Sequence, residues 1–176
     1  RSLLFEARFR AGDLGAAREI LRIRPEAAHA RLGQARLDLA SGEFRTAAGR
    51  LEVLLTDASL PVMLRISAYA YLASAKVQLD DAEGSREAAV AASPLLEVHG
   101  RSRMNDLRIH RLLARVNHSL GAAGRAVGHR SAAKRCLRGL LDAVGDPQEG
   151  LRMARAQRRL DPGTRARSMP SGQIVA

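Results

Sequence analysis

Gly12-Asp13-Leu14-Gly15-Ala16-Ala17-Arg18-Glu19-Ile20-Leu21 returns 30 residues later as Gly42-Glu43-Phe44-Arg45-Thr46-Ala47-Ala48-Gly49-Arg50-Leu51. Glycine, acid, apolar residue, alanine and leucine recur in one order. A self-similarity of this period marks stacked helix pairs, because a single pair cannot bury its apolar face alone. Stacked pairs leave grooves, so the pattern points to binding without naming what is bound.

Outward from this motif nearly every segment reads as helix. Val and Ile are sparse and no long alternation of apolar and polar residues occurs. The turn-like breaks fall at Ala11 to Asp13, Ser41-Gly42, Asp57 to Pro61, Asp80 to Gly84, Ser93-Pro94, His99-Gly100, Gly121 to Gly128 and Gly145 to Pro147. They predict helices near 2–11, 14–23, 26–40, 44–56, 62–79, 84–93, 103–120, 130–143 and 147–160. Pro25, Pro61 and Pro147 stand where helices start, and there a missing N–H costs nothing. Short connections make neighbours antiparallel. Residues 162–176 lack periodicity and are expected to form a disordered basic tail.

The same order of residues appears further on. Ala35 precedes Gly42 by seven, followed by Phe44, Ala47 and Leu51. Tyr69, Leu72 and Ala73 precede a turn at Asp80. Leu113-Ala114 lead to Gly121, with Ala126 five residues beyond it, and Gly145-Asp146-Pro147 and Leu160-Asp161-Pro162 close a last unit. This arrangement resembles the tetratricopeptide repeat, in which a large residue, Leu and a small residue on the first helix are followed by a turn glycine and an alanine on the second. The resemblance covers residues 2–162 and is degenerate. The first two units are spaced more tightly than the family period of about 34. The third needs an insertion near Ala82 to Gly84, and Gly150 replaces the alanine of the last. The expected fold is therefore all-α, with antiparallel helix pairs stacked in a right-handed superhelix over residues 1–161. The alternative is an unrelated helical bundle with alanine-rich packing.

The resemblance also implies a groove. In that family the second, fifth, ninth and twelfth residues of each first helix line the concave face. Here these are His29, Leu32, Arg36 and Leu39 in the Gly42 unit, and Ser67, Ala70, Ser74 and Val77 in the Asp80 unit. In the Gly121 unit they are Arg108, Arg111, Arg115 and His118. Helical geometry supports the last set independently. Arg108, Arg111 and Arg115 fall within a stripe of about 60°, beside a separate apolar face of Ile109, Leu112, Leu113, Val116 and Leu120. Guanidinium forks pair carboxylates or phosphates bidentately. The groove is thus expected to be apolar and mildly polar early, and cationic late.

Charge divides the chain. The net charge is +11. Residues 1–100 hold 13 basic against 13 acidic residues, whereas 101–176 hold 16 against 5. Two functions fit. The first is a protein-interaction module that binds an acidic or C-terminal peptide in the groove; by analogy with the family, it would be the sensing or docking part of a larger bacterial regulator. The second is DNA binding through the basic half. Ser131 to Gly145 is faintly similar to the recognition helix of LuxR-type DNA-binding domains, with Lys134, Arg135 and Arg138 as candidate contacts. All five aromatic residues lie in the neutral half, which leaves the basic half nothing on which bases could stack.

Signatures of chemistry do not appear. There is no His-Glu-x-x-His or Cys-x-x-Cys, the five histidines are scattered, and Gly121, Gly124 and Gly128 follow a helix and lead to His129-Arg130 rather than Lys-Ser. The expectation is a protein that is no enzyme and takes no cofactor or metal. Cys136 is the one cysteine and reads as a small buried apolar residue in a reducing, cytoplasmic setting. No apolar run reaches the length of a bilayer span, so no membrane partner is expected. The chain starts at Arg1 in what already reads as helix, without a leader pattern, and is expected to be a piece of a longer protein. Residues 2–11, with Leu3, Leu4, Phe5 and Phe9, form the apolar end through which copies would pair.

Overall fold

The computed structural model describes residues 2–99 and 103–144. They form α1 (Ser2–Arg10), α2 (Leu14–Arg22), α3 (Ala28–Ala40), α4 (Phe44–Leu55), α5 (Val62–Gln78), α6 (Ala82–His99), α7 (Arg103–Ser119) and α8 (Ala123–Val144). No strand occurs among the described residues, and no helix there is long and apolar enough to cross a membrane. The predicted helix at 147–160, the closing motifs of the last unit and the 162–176 tail lie outside the described residues.

Four turns organise the helices into pairs. Gly12, Gly42, Asp80 and Gly121 adopt φ of 79°, 81°, 58° and 70°. Each donates its N–H to the carbonyl three residues back: Phe9, Leu39, Val77 and His118. The following residue donates five back, to Arg8, Asp38, Lys76 and Asn117. This is one Schellman-type helix ending used four times, and it needs a left-handed residue at its centre. Glycine takes that conformation without strain, and the short polar side chain of aspartate tolerates it best among the rest.

A small residue stands five positions after each turn. Ala17, Ala47, Ser85 and Ala126 are all fully buried, where the second helix of each pair crosses the first. Ser85 takes the alanine position by donating its Oγ hydrogen bond to the Ala73 carbonyl, 2.8 Å away. The third unit therefore needs no insertion near Ala82 to Gly84, contrary to the sequence reading. Serine does the work of alanine there, because its hydroxyl has an acceptor.

The pairs are α1/α2, α3/α4, α5/α6 and α7/α8, each packed as a hairpin. α5 also packs on α3 and on α7, and α2, α4 and α6 each contact the first helix of the next hairpin. The main core runs from α3 to α7 and is rich in alanine, with Leu51, Leu54, Ile66, Ile109 and Leu113 wholly inside it. A smaller cluster joins Phe5, Ala17 and Leu37.

Local breakers mislead at three places. α6 runs through Ser93-Pro94 to His99 rather than ending at 93. Pro94 removes one helical donor. However, Pro94 and Val90, whose carbonyl loses that donor, are both exposed, and buried Ala92 and Leu96 hold the helix on either side. Likewise α8 starts at Ala123, not 130, and passes through Gly124 and Gly128, held by buried Ala126 and Ala133. Finally, α3 starts at Ala28, so Pro25 lies in the preceding turn instead of opening the helix.

Candidate functional site

Two arginines from different hairpins meet at one carboxylate. Arg36 of α3 hydrogen-bonds both oxygens of Glu6, through Nη1 to Oε1 and through Nη2 to Oε2 at 3.2 Å. Arg108 of α7 reaches the same carboxylate through Nη1, at 3.3 and 3.2 Å. Arg10 adds a longer ion pair at 3.6 Å. α1 supplies Glu6, one helical turn before Arg10.

Burial makes this clamp unusual. Arg36 is only 6% exposed. Its guanidinium carbon lies 5.3 Å from the ring centre of Phe5, 4.6 Å from Phe9 and 5.5 Å from Tyr71. Tyr71 also faces Arg108 at 5.9 Å. The faces of these rings are electron-rich and attract a desolvated cation. Burial by itself would raise the Glu6 carboxyl, but hydrogen bonds and charge from Arg36, with Arg108 behind it, outweigh that and hold it at about 2. The carboxylate is therefore charged at any ordinary pH. The Nε of Arg36 is buried and has no hydrogen-bond partner.

The clamp forms one wall of a cavity of about 530 Å³. Ile20 and Leu21 of α2, Leu32 of α3, and Met63 and Leu64 of α5 give it apolar sides; Ser67 lines it too, and His29 and Arg24 are its exposed polar residues. Volume and lining are those of a small-ligand pocket.

Five positions expected in a groove line this one cavity: His29, Leu32, Arg36, Ser67 and Arg108. The others do not. Arg111 is half-buried, and Arg115 and His118 are exposed further along α7. Arg36, the cation among the expected early positions, lies in the same cavity as Arg108. Asp106, the acid nearest the α7 stripe, is 5% exposed, and burial pushes its carboxyl up. Lys134, Arg135 and Arg138 are exposed on α8. Phe5 and Phe9 are occupied with Arg36, so of the expected apolar end Leu3 and Leu4 remain most open, at 86% and 52%.

A second polar contact was invisible in the sequence. His110 of α7 and His129 of α8 approach with Nδ1 atoms 3.2 Å apart, and His129 Nε2 lies 3.3 Å from Ser93 Oγ on α6. Both rings are half-buried rather than at the surface. Burial, then the facing His129 and Arg135, push His110 down to about 4. Burial lowers His129 too, against the pull of Glu97. Both rings are thus neutral at pH 7, one nitrogen donating to the other. Among the described residues no group of three or more His, Cys, Asp or Glu could hold a metal ion.

Compared with family models, curated proteins and solved structures, the chain matches none of them.

Proposed function

We propose that the chain is a tetratricopeptide-like interaction module whose groove binds a carboxylate-bearing partner, an acidic or C-terminal peptide. The observation that carries this is the convergence of Arg36 and Arg108, from separate hairpins, on a single carboxylate at the cavity wall. A site that already holds one carboxylate bidentately has the geometry to hold another. The four identical turns and the packing of α5 on α3 and α7 support the repeat reading. In this reading the module docks or senses for a larger regulator, and the lone Cys136 suits a reducing, cytoplasmic setting.

A fluorescein-labelled Glu/Asp-rich peptide, titrated with the chain and followed by anisotropy, tests the reading. Micromolar binding is expected, with a loss of about tenfold or more on charge reversal of Arg108, Arg111 and Arg115 together. DNA binding is the second reading, favoured by the exposed Arg125, Arg130, Lys134, Arg135 and Arg138 on α8. A labelled random duplex at two salt concentrations separates the two. Duplex affinity that falls steeply with salt, without peptide binding, would replace the first reading with the second.

A further inference from the structure

The cavity has a chemistry of its own. Its walls toward α2, α3 and α5 are aliphatic, through Ile20, Leu21, Leu32, Met63 and Leu64. The hydroxyl of Ser67, which also lines it, is engaged with the Met63 carbonyl at 2.9 Å. A long peptide threaded through this volume would leave its inner amides without partners, which is costly away from water, so only a chain end could enter it. An aliphatic chain meets no such cost and buries apolar surface. At one side stands the buried guanidinium of Arg36, with Nε lacking an acceptor although its other two nitrogens hold Glu6. Arg36 is among the residues that line the cavity, and a buried donor without a partner gains from an acceptor brought to it.

We propose that this cavity binds a carboxylate carried on an aliphatic body, the chain lying against Leu21, Leu32 and Leu64 and the carboxylate exchanging with Glu6 on Arg36 and Arg108. The proposal rests on the reading of this clamp as the binding site, but it narrows the ligand to one with a hydrocarbon body. Glu6 is then a resident competitor, and its helix α1 occupies the position a ligand carboxylate would take. The same chemistry has two sources: a medium-chain fatty acid, or the free C-terminus of a peptide ending in aliphatic residues.

Calorimetric titration of the full chain with decanoate tests this, with decanol as the uncharged control. Decanoate is expected to saturate one site. Glu6→Gln should tighten it about tenfold by removing the competitor, and Arg36→Met should weaken it at least tenfold. Should Arg36→Met fail to fold, Ala30→Trp fills the cavity from α3 without touching the ion pairs, and it must abolish binding. Equal affinity for decanol, binding that survives Ala30→Trp, or weaker binding by Glu6→Gln shown to be folded by circular dichroism would overturn the proposal. A Leu-Leu-Ile peptide with a free C-terminus, against its amidated form, identifies the source: a preference for the free form larger than that of decanoate over decanol assigns the site to peptide ends. Binding of the Glu/Asp-rich peptide with none of decanoate or the free tripeptide would sink this inference and leave the broader groove reading standing. Decanoate bound with no acidic peptide bound would do the reverse.

Discussion

The first and last described hairpins are built on one turn and one crossing, yet they bury polarity in opposite ways. At α1–α3 a charged arginine is taken inside, matched by Glu6 and faced by three aromatic rings. At α7–α8 a half-buried polar contact joins two neutral histidines. The sequence supplies the reason. The first 100 residues carry as many acids as bases, whereas after residue 100 acids number 5 against 16 bases. A buried cation is tolerable only with an anion beside it. At the histidine pair burial outweighs the pull of Glu97, and histidine is the side chain that can shed its charge near neutral pH.

The largest effect that can break this contrast is removal of the single acid. Glu6→Gln leaves Arg36 buried without its counter-charge, and truncating one partner of a buried pair costs on the order of 3 kcal/mol. Urea unfolding should show that loss. Asp13→Asn, at an exposed ion pair with Arg8, should cost less than about 1 kcal/mol. Equal losses would mean that the Glu6 cluster contributes no more than a surface bridge.

Acid should dismantle the two regions in sequence. His110 is depressed from 6.5 to about 4. Its unfolded form therefore binds protons first, and the contribution is present above pH 6.5 and lost as pH falls toward 4. Glu6 is depressed from 4.5 to about 2. Its contribution is intact above pH 4.5 and lost as pH falls toward 2, amounting to about 3 kcal/mol at most. Hydrogen exchange from pH 7 downward should open α7–α8 before α1–α3. His110→Gln should remove the first step alone, and simultaneous opening of both regions would contradict the contrast.

A smaller effect sharpens the shared part of the plan. Asp80 is the one non-glycine residue among the four left-handed turns. Asp80→Gly should stabilise the α5–α6 hairpin by up to about 1 kcal/mol by relieving strain, read as a rise in melting temperature. Ser85→Ala should cost no more than about 1 kcal/mol, since the Ala73 carbonyl loses the hydroxyl donor but keeps its place in the α5 helical ladder.

Much of this architecture was legible because it is local. The turn at Gly42 announces itself in the residues around it, and the groove implied by the tetratricopeptide resemblance included His29, Leu32, Arg36, Ser67 and Arg108, five residues that line one cavity. Pro94 and Gly128 misled because buried Ala92, Leu96 and Ala126 outweigh a breaker that sits on an exposed side. Glu6 was missed for a different reason. Its contact with Arg108 spans 102 residues, and nothing about a lone glutamate on a short helix distinguishes it from a solvated one. His110 and His129 escaped likewise, because their meeting depends on how α7 lies against α8.

Arg108 joins the C-terminal half to the clamp, and reversing its charge separates peptide binding from DNA binding. Anisotropy of the labelled Glu/Asp-rich peptide should be measured with the parent chain and with Arg108→Glu, alongside a random DNA duplex. Micromolar peptide binding is expected, falling about tenfold or more in the variant, with duplex affinity changing less than about twofold. Peptide binding indifferent to Arg108, or a duplex bound while the peptide is ignored, would contradict the proposed function.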